Sequence, residues 1–453
     1  AFFDSPKFVA SIAKLNGSPL AEAEAFTAMG GWNEHPASLK AIGDMAWAQG
    51  INRFVFRTYV HQPWEIGPGL TLGPFGIDFN RLNTWWEQGK GFMDYIGRGQ
   101  FLLQQGQSFA DILVFTGESS PNDGLLIPQI KALGYDYDLI GSNKIKTLTV
   151  KEGLICTTVG EKYQALVLPS TKWVTPEILS KIQELAIKGA LIISSKPKKS
   201  PSLKNYPKCD EDVKQVSNKL WNQGLIKEQS IVSVLKNGKL PPDFSTEQGR
   251  GESIDFIHRK TENSDIYFVV NSKKESRNLS CRFRVSGKQP EIWNAETGKI
   301  TNAAIWQENI DGTTTVSISF ESEGSVFVVF RNPILSDQHI VNVEMKLKEP
   351  EATPLLNLKI IKAEYGTFLP DGLVDVTKVV ARAIENNSLN IHATRSLCSS
   401  DPAPGYKKEL RVQYKIGEKI FEKNAMEKEW LKIDTPFKGK LKIIKAVFGK
   451  FER

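Results

Sequence analysis

The chain has 453 residues, 40% of them hydrophobic and 24% charged, enough apolar material to bury several cores, so a disordered chain is excluded and two to four domains are expected. Its 35 Gly and 23 Pro follow no three-residue period, which excludes collagen, and no apolar run reaches the roughly 20 residues of a membrane-spanning helix. The net charge of +7 sits in the tail, where residues 341–453 hold 21 basic and 15 acidic side chains; these lysines are scattered along alternating strands, the pattern of a solvated face, so no nucleic-acid partner is expected.

At the amino end, Phe8, Ile12 and Leu15 follow a helical period that Gly17 stops. The segment starts like the interior of a domain, without an initiating Met or a basic-then-apolar leader, and a processed or truncated chain is expected. Pro19 to Thr27, PLAEAEAFT, is predicted to be a strand. Pro36 to Gln49 is predicted to be a helix with Pro36 at its first position and Leu39, Ile42, Met45 and Ala46 on one side. Ile51 to Val60 gives a second strand, the loop HQPWEIGPGLTLGPFG follows, and Asn83 to Gln105 reads as a long helix rich in aromatics. This is the βα rhythm of a parallel sheet, too short here for a complete (β/α)8 barrel; residues 1–107 are expected to be its carboxyl-terminal remnant.

ADILVFTG, YQALVLP and ALIISS read as buried strands, with a helix from Thr175 to Lys188, so a flavodoxin-like α/β domain is expected over 108–240. No Gly-rich phosphate loop follows any of these strands, which leaves nucleotide binding without support. Lys236 to Gly251 is polar and is expected to be a linker. From there the period becomes two: SIDFIHR, DIYFVVNS, CRFRVSG, PEIWNAETG, TTTVSISF and SVFVVFR predict a β-sandwich over 252–332. IVNVEMKL, LNLKIIKAEYG, LNIHAT, KELRVQYKI and LKIIKAVFG predict a further β-rich domain over 340–453. The fold class is therefore multidomain α/β plus β. Cys156, Cys209, Cys281 and Cys398 are too far apart in sequence for metal-ligand spacing.

The densest polar constellation is Glu22, Glu24, Thr27, Trp32, Glu34 and His35, joined by Arg57, Tyr59, His61, Gln62 and Trp64. If the first two strands are parallel neighbours, both groups leave the same sheet edge, where active sites form. Trp32 and Trp64 could stack on a sugar face while Arg57, Tyr59, His61 and Gln62 bond its hydroxyls. Glu22 and Glu24 point the same way along a strand, with Glu24 nearer the carboxyl end. A solvated pair at a strand end is the competing reading. Glu118 stands similarly at a strand end, as a rim or structural group, and Asp4, Asp44 and Asp78 are a weak metal set, as readily caps or surface groups.

EAEAFT, PASLKAIGDMAWAQGINRFVFRTYVHQPW, PGLTLGPFG, FNRLNTWW and GYDYDLI together resemble the carboxyl half of the catalytic region of the GH106-type α-L-rhamnosidase family, and DFIHR, IYFVVNS and PEIWNAETGKI extend the resemblance to about residue 332. The tail resembles β-modules appended to polysaccharide-degrading enzymes. The resemblance implies a (β/α)8 enzyme that hydrolyses terminal α-L-rhamnosides with inversion, using two glutamates. The glutamate of E-A-F-T falls on Glu24, implied to be the general base, with Glu22 tuning or orienting; the acid partner lies upstream in the family, and no matching segment is present. His61 and Trp64 match positions near the sugar pocket. Arg57 stands where a His is usual before T-Y, and its charge could favour a neighbouring uronate or merely fill space. The resemblance implies a rhamnose-containing oligosaccharide or glycoside as substrate and a periplasmic or secreted location. It requires no cofactor and admits calcium, and it leaves the oligomeric state open. A catalytically impaired carbohydrate-binding or scaffolding protein is the alternative.

Overall fold

The computed structural model describes residues 5–27, 31–67, 69–71, 73, 75–118, 127–228, 230–236, 241–246, 253–335, 339–347, 358–367, 373–385, 388–416, 419–434 and 441–448. They fall into two compact units, one within Ala1–Asn342 together with Val447–Arg453 and one within Val343–Ala446. Helices and strands are mixed throughout the first, and no closed barrel occurs among the described residues.

Helix α1 (Ser5–Leu15) turns an unexpected face inward. Lys7, Ser11 and Leu15 are buried while Ile12 is exposed. The reason is polar: Lys7 Nζ donates to Asp136 Oδ1 at 3.0 Å, Lys14 Nζ to Asp138 Oδ2 at 2.6 Å, and Ser11 Oγ accepts from the Leu139 amide at 3.0 Å. Burial alone would raise the Asp136 carboxyl, but Lys131 and Lys7 outweigh it and hold it down to about 2.

Strands β1 (Glu22–Ala25) and β2 (Arg53–Phe56) pair in parallel, with Glu22 opposite Arg53 and Glu24 opposite Val55. Because side chains alternate, Glu22, Glu24, Arg53 and Val55 share the exposed face, and Phe54 and Phe56 pack behind. Helix α2 (Pro36–Ala48) crosses between them. Its inner side is Leu39, Gly43, Asp44, Trp47 and Ala48, so Ile42 and Met45, expected inside, are exposed. Asp44 can be inside because Lys40 Nζ donates to it at 2.8 Å and Tyr95 Oη donates to its other oxygen; Trp47 stacks on Phe54 with centroids 5.4 Å apart. Helix α3 is Lys90–Leu103, shorter than predicted: residues 81–89 are turns, and the Trp85 indole there donates to the Glu34 carbonyl at 2.9 Å.

Four parallel strands follow, in the spatial order Leu191–Ile193, Ala165–Val167, Ile112–Phe115, Tyr137–Ile140. Leu113, Phe115, Leu166 and Ile192 face a core shared with Ile178, Leu185, Val213 and Leu220 from the helices Pro176–Ile187 and Lys208–Asn222. Ile112, Val114, Val167 and Ile193 face Ile130 and Ile231 on the opposite side.

Besides a small antiparallel sheet of Thr149–Lys151, Leu154–Cys156 and Lys162–Tyr163, the first unit holds two larger antiparallel sheets. One has six strands in the order Ile300–Asn302, Lys288–Trp293, Ser325–Pro333, Asp265–Asn271, Ile254–Lys260, Gln107–Phe109; the other runs Phe244–Thr246, Arg277–Phe283, Thr314–Phe320, Trp306–Glu308. Phe256, Tyr267, Val269, Val328 and Phe330 face the core between the two sheets. Ile257, Ile266, Phe268, Phe327 and Val329 face the other way, against Leu39, Trp47 and Tyr95. With both faces covered, DIYFVVN is buried at every position, a continuous apolar run where one-sided burial would alternate. The expected linker contains a strand, Phe244–Thr246, anchored by Phe244 against Phe256 and Phe283; residues 237–240 and 247–251 of it lie outside the described ones.

In the second unit, the sheets Leu373–Asp375, Leu358–Gly366, Glu409–Ile416, Lys419–Met426 and Ile384–Glu385, Ser388–His392, Trp430–Ile433 enclose Ala363, Tyr365, Leu389, Leu410, Val412 and Leu431. Lys419–Met426 was not expected, because it is exposed everywhere but at Ala425 and shows no apolar alternation.

Candidate active site

The chain leaves β1 through a tight reversal. Phe26 adopts φ +65°, an unusual conformation for a bulky residue, and drops its ring among Phe54, Phe56, Phe79 and Phe92, with centroids 5.3–6.3 Å away. Thr27 is thereby turned back so that its Oγ1 donates to Glu24 Oε1 at 3.1 Å. Arg57 Nη1, just beyond β2, lies 3.7 Å from the same oxygen. Glu22 has its own cation, Arg53, at 3.1 Å. The parallel register therefore gives each carboxylate a separate arginine, and Glu24, with its side chain 59% exposed, is the one held at the carboxyl edge.

Beyond β2 the backbone continues the parallel pattern. The Thr58 amide donates to the Ile77 carbonyl at 2.7 Å and the Phe79 amide to the Thr58 carbonyl at 3.0 Å, which sets Asp78 beside Thr58. The loop between is held from outside: Arg81 Nη2 donates to the carbonyls of Gln62 and Trp64 at 3.0 and 3.2 Å. Gly69 (φ +106°) sits where a Cβ would lie 2.9 Å from Gln62 Nε2 and 3.2 Å from Trp32 Cη2, so the loop brings Trp32 and Gln62 to one place. Tyr59, His61 and Trp64 of this loop are exposed.

This region holds a concentration of unmet polar atoms. Arg57 Nε, Gln62 Oε1, Asp78 Oδ1, Asn80 Nδ2 and Asn83 Oδ1 are all buried without a hydrogen-bond partner among the described residues. Burial raises the Asp78 carboxyl, and nothing nearby offsets it. Buried polar groups are ordinarily satisfied, so five orphans within 27 residues at a sheet edge call for a polar occupant. Asn80 and Asn83 escape a reading by residue type. Their signal is two amides inside the otherwise aromatic FNRLNTWW.

Other expected groups serve the scaffold. Ser38 Oγ donates to Glu34 Oε2 at 2.6 Å and accepts from the His35 amide at 3.1 Å, so Glu34 and His35 help start α2. Glu118 accepts from the amide and hydroxyl of Thr175, both at 2.7 Å, where the helix Pro176–Ile187 begins. Asp44 ties α2 to α3 through Tyr95, Asp78 stands at the strand-edge cluster, and Asp4 lies outside the described residues. No group of three or more His, Cys, Asp or Glu able to hold a metal occurs among the described residues.

The alpha-L-rhamnosidase family model matches residues 4–307. The chain belongs to the GH106-type alpha-L-rhamnosidase family. It is 58% identical over 451 residues to a Formosa agariphila protein provisionally named a beta-glucuronidase, a match covering 100% of this chain and 39% of that protein. The solved structure of a rhamnosidase from Novosphingobium sp. PP1Y is similar with a TM-score of 0.68 at 27% identity, over 86% of this chain and 39% of that one. The rhamnosidase-family chain thus spans about two fifths of the length of each. Its strand-edge carboxylate, arginine and aromatic loop all fall inside the matched residues.

Proposed function

We propose that this chain is part of a glycoside hydrolase that releases terminal α-L-rhamnose with inversion, and that β1 and β2 are strands of its (β/α)8 barrel. Glu24 acts as the general base. Its carboxylate, steadied by Thr27 and Arg57, takes a proton from the attacking water; such assistance contributes roughly 10²–10⁴-fold. Glu22, bound to Arg53, keeps the electrostatics of the strand edge fixed. Trp32 and Trp64 offer faces to the sugar ring, and Arg57, Tyr59, His61 and Gln62 bond its hydroxyls. The acid partner is supplied by the part of the longer relatives that this chain does not span. An inverting pair leaves about 6.5–9.5 Å between carboxyls for the water.

The observation that carries this reading is the set of five buried, unpartnered polar atoms beside the Glu24 edge, a demand that a polyhydroxylated ligand meets. A second reading, cleavage of a β-glucuronide, is favoured by the name of the Formosa agariphila relative and by the fixed charge of Arg57 beside the pocket, which suits a carboxylated sugar. Release of nitrophenol from 4-nitrophenyl α-L-rhamnoside and from 4-nitrophenyl β-D-glucuronide separates them, using the longest natural polypeptide that contains this chain. Turnover of the rhamnoside alone is expected. Turnover of the glucuronide alone overturns the first reading in favour of the second, and binding without turnover of either leaves a carbohydrate-binding or scaffolding role.

A further inference from the structure

The four-stranded parallel sheet carries a crevice that the strand-edge site does not use. The chain runs from Ile112–Phe115 outward to Tyr137–Ile140 on one side, then crosses to Ala165–Val167 and Leu191–Ile193 on the other. The connections leaving Ile112–Phe115 and Ala165–Val167 therefore diverge, and the gap outside the carboxyl ends of two such strands is where open parallel sheets receive ligands. A cavity of about 380 Å³ lies there, lined by Thr116 and Glu118 after the first strand and by Pro169, Thr171 and Trp173 after the other.

Its chemistry is specific. Trp173 is 47% exposed, a large apolar surface left open to water at the cavity wall. Lys199 Nζ stands 4.3 Å from its ring centroid. The exposed Lys172 and Lys198 are tied to the same place, because the amides of Lys198 and Lys199 donate to the Lys172 carbonyl at 2.9 and 3.3 Å, and the Val174 amide donates back to the Lys199 carbonyl at 3.2 Å. Glu118 keeps its negative charge but is turned toward the Thr175 amide and hydroxyl, which engage both its oxygens, so three lysines stand against one carboxylate. A second, narrow cavity of about 20 Å³ shares Pro169, Thr171 and Trp173 with this one and is also lined by Ser194, Ser195 and Trp221, whose buried indole N–H has no partner among the described residues. A nucleotide is a poor occupant, because the strand Ile112–Phe115 is followed in sequence by TGESSP, without the clustered glycines of a phosphate loop.

We propose that this crevice is a binding site for an acidic saccharide unit, one bearing a carboxylate or a sulfate. Trp173 stacks under the sugar ring. Thr116 and Thr171 serve its hydroxyls, and Lys172, Lys198 and Lys199 bind the anionic group. The assignment rests on the parallel sheet alone and does not depend on the hydrolase reading. Calorimetric titration of the intact chain with oligoglucuronate, with a sulfated oligosaccharide, with a neutral oligosaccharide of the same length and with ATP tests it. At least one acidic oligosaccharide is expected to bind, and which of the two does so identifies the anionic group. Trp173→Ala and the double change Lys198→Ala/Lys199→Ala should each weaken it about tenfold or more, the second also flattening the salt dependence, while Lys199→Arg keeps most of the affinity. These side chains are exposed, so unchanged thermal unfolding of each variant verifies that the fold is intact. Equal affinity for the neutral oligosaccharide, tighter binding of ATP, undiminished binding by both variants, or no heat from either acidic ligand at about 10 mM would each overturn the assignment.

Discussion

Replacing His258 by Phe removes the centre of a buried charge network while keeping its shape. The imidazole is fully enclosed, its Nδ1 is 3.1 Å from Asp243, its Nε2 is 3.2 Å from Asp265, and it stacks on Tyr267 with centroids 4.0 Å apart. Two carboxylates on two ring nitrogens call for the doubly protonated ring. Phe preserves the stacking, so the loss is electrostatic. Removing one member of a buried pair costs 3–5 kcal/mol. Asp243 keeps Tyr267 Oη at 2.9 Å and Arg284 at 3.4 Å, and Asp265 keeps Lys288 at 2.8 Å, which places the expected loss at the lower end, about 3 kcal/mol. Burial alone would lower the pKa of His258, but Asp243 and Asp265 outweigh it and raise it above 6.5. A histidine raised on folding stabilises fully below its unfolded value and loses that contribution as pH rises through the folded one. The difference between wild type and His258→Phe, read by urea titration with tryptophan fluorescence, should therefore be largest near pH 6 and shrink toward pH 9. Asp111, pushed up to about 6 by burial against the pull of Arg284, titrates in both proteins, and His258, which also pulls it down, makes its contribution part of the difference. A loss under about 1 kcal/mol, or one independent of pH, would refute the reasoning.

Gly99→Ala should lower the melting temperature, because the added Cβ would lie 2.3 Å from Trp47 Cη2 where α3 meets α2; overpacking of this kind costs about 1–3 kcal/mol, and an unchanged midpoint would contradict the packing. Lys7→Met leaves Asp136 with Lys131 alone. Asp136, held down to about 2, stabilises above its ordinary 3.8 and loses that contribution as pH falls toward 2, so the variant should unfold at higher pH during acid titration, and an unmoved acid midpoint would count against the α1 contact. Cys281, buried and pushed up to about 12, should resist iodoacetamide in the folded chain and react in denaturant; rapid native labelling of this residue, located by peptide mass, would contradict its burial.

The strand and helix order was legible wherever one local period dominated: Pro36–Ala48, Pro176–Ile187 and the strands Ile254–Lys260, Asp265–Asn271, Lys288–Trp293, Thr314–Phe320 and Ser325–Pro333 follow from apolar spacing and turn residues, while Ile300–Asn302 and Trp306–Glu308 were not read. What failed was the facing of helices whose buried sides are polar. Nothing near Lys7, Ser11 or Asp44 in sequence announces Asp136, Asp138 or Tyr95, so apolar Ile12 and Ile42 were taken for the inner stripe. The three-residue strands Gln107–Phe109 and Phe244–Thr246 are too short for any period, and exist because partners far along the chain complete their ladders. At the candidate site, E-A-F-T at a strand end was readable, but the orphan cluster of Asp78, Asn80 and Asn83 depends on a backbone pairing between Thr58 and residues 77–79 that no spacing reveals.

The direct test of the account is the turnover of 4-nitrophenyl α-L-rhamnoside by the polypeptide that contains this chain and its upstream region, before and after Glu24→Gln. The amide keeps the size of the carboxylate and can still accept from Thr27 Oγ1, but it cannot take a proton from water. Turnover falling on the order of 10³-fold with rhamnose affinity retained is the expected result; turnover within a few fold of wild type would remove Glu24 from the chemistry.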